Sequence, residues 1–232
     1  MATYDLSRRD FCFAAAGAAL VNPALAPAQT IGRGGVIYAV RANGELAWNR
    51  HEGRDDGTSR WASDNGRRVG TGWGEPEHVF SGGGGIIYAV RRNGELAWNR
   101  HEGRDDGTFR WASDNGRRVG TGWGGLEHVF SGGDGIIYAV RANGELAWNR
   151  HEGRDDGTFR WASDNGRQVG TGWGGLEHVF SGGDGIVYAV RRNGELAWNR
   201  HEGRDDGTFR WVSDNGRRVG TGWNGLRQAF AG

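Results

Sequence analysis

Short runs of apolar residues alternate with glycine-rich polar segments along this chain. Every residue in the run Ile86–Val90 is apolar, which is typical of a β-strand buried on both faces. Asn93-Gly94 follows and predicts a β-hairpin, because a type I′ turn needs positive φ at both central residues. The next segment, Glu95–His101, places its large apolar side chains on one face and therefore predicts a half-buried strand.

The second half of this unit is more polar. His101–Gly116 is rich in glycine, aspartate and asparagine, which favours a long connection built from turns. We expect Phe109 and Trp111 to anchor this connection to the core. Arg117–Gly120 predicts a short outer strand, since its arginines suit a sheet edge. Glu127–Phe130 then predicts the innermost strand of the following unit.

The same pattern occurs four times. The motif Ile37–Val40 returns every fifty residues, and the block 43–73 recurs almost letter for letter. A fixed period of this length indicates a solenoid, a propeller or an array. Each unit contains four short strands and no 3.6-residue periodicity. The sequence therefore predicts an all-β fold, a small β-propeller of four near-identical four-stranded blades in a single domain.

The two ends of the repeats suggest how the propeller closes. The repeats begin at Val36 with the two-sided strand and end with Arg227–Phe230, the counterpart of Glu77–Phe80. The chain thus lacks an innermost strand at its start and has an additional one at its end. We expect the C-terminal strand to complete the first blade, which makes one mixed closing blade in a propeller over residues 36–232.

The first residues form a different kind of sequence. Arg8-Arg9 precedes the apolar stretch Cys12–Leu20, and a small-residue cleavage site ends at Ala28. This order predicts a signal peptide of the twin-arginine type over residues 1–28, followed by a short leader at 29–35. We expect a periplasmic or secreted protein. The apolar stretch is too short for a membrane span.

Composition narrows the possible partners. The chain has 45 glycines, 12 tryptophans and a net charge of +1, so it has no strong electrostatic attraction to nucleic acid or to a membrane surface. Its only cysteine lies in the predicted signal peptide, so the mature chain has no disulfide.

These motifs resemble the tachylectin family of propeller lectins. The resemblance rests on Gly-x-Gly-Trp before a Val-Phe strand, a glycine-rich turn, Tyr-Ala-Val and Asn-Gly-x-Leu, and it extends over residues 31–232. It implies binding of N-acetylated sugars such as N-acetylglucosamine, with one pocket per blade. The best-known member has five blades, whereas four are counted here. A closed monomeric ring and a homo-oligomer that shares strands therefore both remain open.

Sugar binding needs hydrogen-bonding groups and an aromatic face, and the long polar connection offers both. Within it, tryptophan is the candidate platform, while aspartate, asparagine and histidine are candidate polar contacts. Trp48 and Trp73 are assigned to the core and to blade packing, and Asp55 and Asp64 to turns. The candidate sugar-binding residues are Trp61, Trp111, Trp161 and Trp211, Asp56, Asp106, Asp156 and Asp206, Asn65, Asn115, Asn165 and Asn215, and His51, His101, His151 and His201.

The sequence gives little support for metal binding or for catalysis. The acidic and histidine spacing matches neither a calcium loop nor a tetrahedral zinc site, so we expect no metal and no cofactor. Near-identical units offer the same groups in the same surroundings four times, whereas catalysis needs one asymmetric site. We therefore expect no enzyme.

The sequence thus predicts an exported, multivalent, lectin-like protein that binds N-acetyl sugars. The alternative is a protein-binding or structural propeller without sugar affinity. Ser59 replaces the phenylalanine found at Phe109, Phe159 and Phe209. If that phenylalanine supports the pocket, the first unit should bind worst.

Overall fold

The computed structural model describes residues 35–226. The predicted signal peptide, nearly all of the predicted leader and the predicted closing strand Arg227–Phe230 lie outside the described residues.

The described chain is built from short antiparallel strands and one 3-10 turn at Glu102–Asp105. The strands form four sheets, one for each repeat, which we call blades one to four. They are β1 Gly35–Val40, β2 Leu46–His51 and β3 Arg67–Gly70 in blade one; β4 His78–Gly83, β5 Ile86–Val90, β6 Leu96–Arg100 and β7 Arg117–Gly120 in blade two; β8 Leu126–Gly133, β9 Ile136–Arg141, β10 Leu146–Arg150 and β11 Arg167–Gly170 in blade three; and β12 His178–Gly183, β13 Ile186–Val190, β14 Leu196–Arg200 and β15 Arg217–Gly220 in blade four.

The predicted all-β, four-bladed β-propeller is confirmed. In blade two the strands pair in the order β4-β5-β6-β7, so each strand neighbours the next one along the chain. The innermost strands of successive blades lie side by side, β4 next to β8 and β8 next to β12. Blade one has three strands among the described residues.

Each second strand is apolar on both faces because it packs against two neighbouring blades. In β9, Ile137 and Ala139 pack with Tyr88 and Trp98 of blade two. The opposite face of β9, including Tyr138, packs with blade four. The core therefore lies between the blades, as predicted from the sequence for Ile86–Val90.

The Asn-Gly turn differs from the prediction. Gly94 has a φ of 76°, but Asn93 is not among the residues with positive φ, so the turn is not type I′. The Gly94 N–H donates to the Arg91 carbonyl at 2.8 Å, and the Arg91 N–H donates to the Glu95 carbonyl at 2.8 Å. This is a type I turn followed by a glycine in the left-handed region, a longer hairpin connection that the same two letters also favour.

Candidate functional site

The long connection between the last two strands of each blade forms a folded loop, which we call the blade loop. The four blade loops comprise residues 51–66, 101–116, 151–166 and 201–216. In blade two, the Ala112 N–H donates to the Arg100 carbonyl at 3.0 Å, and the Gly116 N–H donates to the Trp98 carbonyl at 2.9 Å. An isolated antiparallel bridge joins His101 and Trp111. The loop is therefore held against the end of β6.

Three of the four blade-loop histidines lie inside the protein, whereas His51 is half-buried and its Nε2 lies 2.9 Å from the Thr58 carbonyl. His101 is buried, its Nε2–H donates to the Thr108 carbonyl at 2.8 Å, and its Nδ1 lies 2.7 Å from the Tyr38 hydroxyl of blade one. Burial lowers the pKa of His101, which favours the neutral ring, with Nδ1 accepting from Tyr38. His151 and His201 repeat this arrangement. Protein atoms therefore occupy both ring nitrogens, and these histidines position the loop.

Three of the four blade-loop tryptophans are wedged between blades, whereas Trp61 is 41% exposed. The indole N–H of Trp111 donates to the Val69 carbonyl of blade one at 2.6 Å. Its ring stacks on Trp73 with centroids 5.7 Å apart and lies 4.6 Å from His101. Trp161 and Trp211 make the same contacts with the preceding blade. Because these rings are partly buried, only their exposed edges could contact a ligand.

The predicted aspartates and asparagines shape the loop backbone. The Asp106 Oδ1 accepts from the Thr108 N–H at 3.0 Å and from the Thr108 hydroxyl at 2.6 Å. These two hydrogen bonds lower the pKa of Asp106. The Asn115 Oδ1 accepts from the Arg100 N–H at 3.0 Å. The other three blades repeat these hydrogen bonds.

The structure therefore brings histidine and tryptophan together and places aspartate and asparagine at separate points of the same loop. Their assignment as sugar contacts stays a prediction. What the contacts show is how the loop is fixed: Asp106 binds Thr108 within the loop, Asn115 binds the Arg100 N–H at the end of β6, and His101 and Trp111 attach the loop to the preceding blade.

The blade-loop phenylalanines are the most exposed of the large apolar side chains in the described part of the chain. Phe109, Phe159 and Phe209 are 62%, 59% and 61% exposed. The expectation that Phe109 anchors the loop to the core is wrong, because the neighbouring Trp111 takes that role. The loop backbone pairs Gly103 with Arg110, next to Phe109. A rigid loop therefore presents one exposed aromatic ring on each of three blades, and the sequence signal for this position was its replacement by Ser59.

Polar side chains stand beside this exposed ring along the chain. The Arg110 guanidinium donates to the Glu102 carbonyl at 3.0 Å and lies 3.5 Å from the Asp106 carboxylate. The Glu102 side chain is exposed.

Within residues 35–226, no three His, Cys, Asp or Glu side chains gather as metal ligands would. No helix in that range is long and apolar enough to cross a bilayer.

Comparison with known proteins agrees with the fold. The family model described as Tachylectin matches residues 28–155 and 149–232. No curated protein matches the chain. A solved structure described as "The de novo evolutionary emergence of a symmetrical protein is shaped by folding constraints" superposes with a TM-score of 0.58 at 22% identity, covering 84% of this chain and 78% of that one. A crystal structure of Kap60 bound to yeast RCC1 (Prp20) gives a TM-score of 0.38 at 13% identity, covering 69% of this chain and 39% of that one. This score is too low to support a conclusion about fold or function.

Proposed function

Because the chain belongs to the Tachylectin family, we propose that it is an exported carbohydrate-binding protein without enzymatic activity that recognises N-acetylated sugars such as N-acetylglucosamine. The observation that carries this proposal is the exposed phenylalanine repeated on three rigid blade loops. An aromatic face packs against the C–H face of a sugar ring, and it loses little conformational entropy in doing so.

The polar contacts would come from the same loop. The Arg110 guanidinium, the Glu102 carboxylate and the second carboxylate oxygen of Asp106 supply donors and acceptors near Phe109 in the chain. In this proposal Trp111 and His101 do not contact the sugar; they hold the blade loop in place. In this proposal the platform shifts from the tryptophans to the phenylalanines, and Asp106 remains a contact.

The sites would be weak one by one and effective together. Three or four equivalent shallow sites gain roughly 10²–10⁴ in avidity if the target presents its sugars at a matching spacing. Peptidoglycan fragments, host glycans and surface polysaccharides present N-acetyl sugars repeatedly. The same exposed rings also favour the second candidate, a propeller that binds another protein, because exposed aromatic residues are enriched at protein interfaces.

The test compares sugar binding by the protein and by two variants designed on its own repeats. Phe109→Ser/Phe159→Ser/Phe209→Ser gives every blade the residue that blade one carries, and Ser59→Phe gives blade one the residue of the others. Isothermal titration with N-acetylglucosamine oligomers should show binding by the wild-type protein, loss in the triple variant and one further site in Ser59→Phe. Unchanged binding in the triple variant would remove the phenylalanine platform. No heat with any sugar would favour the protein-binding propeller.

A further inference from the structure

Neighbouring blades meet at three interfaces that are built from the same contacts, and we call each interface a seam. At the first seam, the Trp48 indole N–H donates to the Arg104 carbonyl at 2.7 Å. The Tyr38 hydroxyl meets His101 at 2.7 Å, and Trp111 donates to the Val69 carbonyl at 2.6 Å. The next two seams repeat these distances to within 0.1 Å. In every seam, the blade loop of one blade attaches to the blade before it.

The blade loop of blade one has no such blade before it within residues 35–226. Trp61 is 41% exposed, whereas Trp111 is partly buried in its seam. A Cβ added to Gly107 would lie 2.7 Å from Trp48, yet one added to Gly57 would meet nothing within 4 Å. Blade one therefore presents a complete blade loop with an open seam face.

Blade four presents the matching half. Val219 is 48% exposed, while its counterparts Val69, Val119 and Val169 are fully buried. Across the described part of the chain, the Trp198 indole N–H and the Tyr188 hydroxyl lack the loop partners that their counterparts Trp148 and Tyr138 have. The last blade therefore ends in an uncovered seam face.

One ion pair of the internal seams has its two counterparts on the open faces. At the third seam, the Arg204 guanidinium lies 2.7 Å from the Asp134 carboxylate. The corresponding pair across the open faces is Arg54 with Asp184. Asp184 lines a cleft of about 440 Å³ on blade four, together with Arg200, Arg204, Arg210 and the acidic Glu202 and Asp205. The counterpart of Arg200, Arg100, donates to the carbonyl of the next blade loop at 2.9 Å, so this cleft has the groups to receive Arg54 and its neighbour.

The end of the described chain points to the same arrangement. The His178 Nε2 lies 2.9 Å from the Leu226 carbonyl, as the His78 Nε2 lies 3.1 Å from the Leu126 carbonyl. Leu126 begins the innermost strand of the following blade, and Leu226 takes the equivalent position after blade four. Within residues 35–226, blade one has three strands, and none of them is an innermost strand.

We propose that copies of this protein associate head to tail, with the open face of blade four receiving the blade loop at residues 51–66 of a second copy. The three internal seams have one uniform geometry, and with that geometry the chain's own open faces do not meet among the described residues. A second copy can form a fourth seam with the same geometry on these open faces. Such a heterologous contact produces rings or filaments.

The decisive variant is Gly57→Asn, with Gly72→Asn as its control. Both glycines have positive φ, 69° and 79°, both have open space around an added Cβ, and asparagine tolerates that backbone. At the internal seams, the counterparts of Gly57 lie against a tryptophan, while the counterparts of Gly72 remain open. Light scattering on the full chain should give multimers for the wild type and for Gly72→Asn, and the single-chain mass for Gly57→Asn.

A wild-type chain that stays monomeric from nanomolar to near-millimolar concentration would overturn the proposal. If Gly57→Asn then also lowered the melting temperature relative to Gly72→Asn, the two faces would be closing on each other within one chain. Charge exchange provides a second test: Asp184→Arg and Arg54→Asp should each weaken association at least tenfold, and mixing the two purified variants should restore it between them. These outcomes do not depend on whether sugars bind.

Discussion

Replacing Trp161 by phenylalanine should destabilise the propeller through one seam. The substitution removes the indole N–H that donates to the Val119 carbonyl at 2.6 Å, and it keeps an aromatic ring between Trp123 and His151. Val119 is fully buried, so its carbonyl has no water to take the place of the indole. An unsatisfied buried acceptor costs about 1–3 kcal/mol, and the smaller ring adds a cavity. We expect a loss of about 2–4 kcal/mol in the free energy of unfolding.

Trp61→Phe is the matched control, because the described structure gives the Trp61 indole no such acceptor. Measured by urea denaturation below the concentration at which copies associate, it should cost less than about 0.5 kcal/mol, as an exposed substitution does. The midpoint should move in Trp161→Phe without a change in slope. Equal losses in both variants, or no loss in Trp161→Phe, would refute this account of the seam.

Three further outcomes follow from the same contacts. Burial lowers the pKa of His101, His151 and His201, so the unfolded chain takes up more protons than the folded chain as the pH falls below about 6.5. Stability present above that pH should therefore be lost progressively below it; thermal melts at a series of pH values below about 6.5 check it, and a flat melting temperature would contradict it. Gly153→Ala should yield no folded protein, because its Cβ would overlap the Thr158 carbonyl. Gly122→Ala, which has open space but a φ of 78°, should cost about 1–2 kcal/mol and still give a normal circular dichroism spectrum. Arg8→Lys/Arg9→Lys should retain the protein in the cytoplasm, and export of this variant at wild-type levels in a cell fractionation would remove the twin-arginine proposal.

The sequence allowed the strands and their order to be predicted because those features are written locally and four times over. Ile86–Val90 is apolar on both faces, and that pattern alone places it between two layers. The turn at Asn93 was predicted with the wrong geometry, since the Asn-Gly pair fits more than one hairpin type and the Arg91–Glu95 hydrogen bonds decide between them.

The site was harder to predict because its contacts cross between repeats. The Tyr38 hydroxyl that hydrogen-bonds with Nδ1 of His101 lies 63 positions earlier in the chain. The Val69 carbonyl that accepts from Trp111 lies 42 positions earlier. No local pattern distinguishes a tryptophan bound in this way from one that is free to bind a sugar. Phe109 was mistaken for an anchor for the same reason: within the loop either aromatic residue could face inward.

The seams also bear on how such a gene can change. Every seam joins a blade only to its immediate neighbour, and every blade carries the same two faces. Removing or duplicating one fifty-residue unit by unequal recombination would therefore leave all remaining seams intact and the two ends of the product unchanged. Near-identical coding repeats promote such exchanges, so lineages that carry this gene should differ from one another in whole blades.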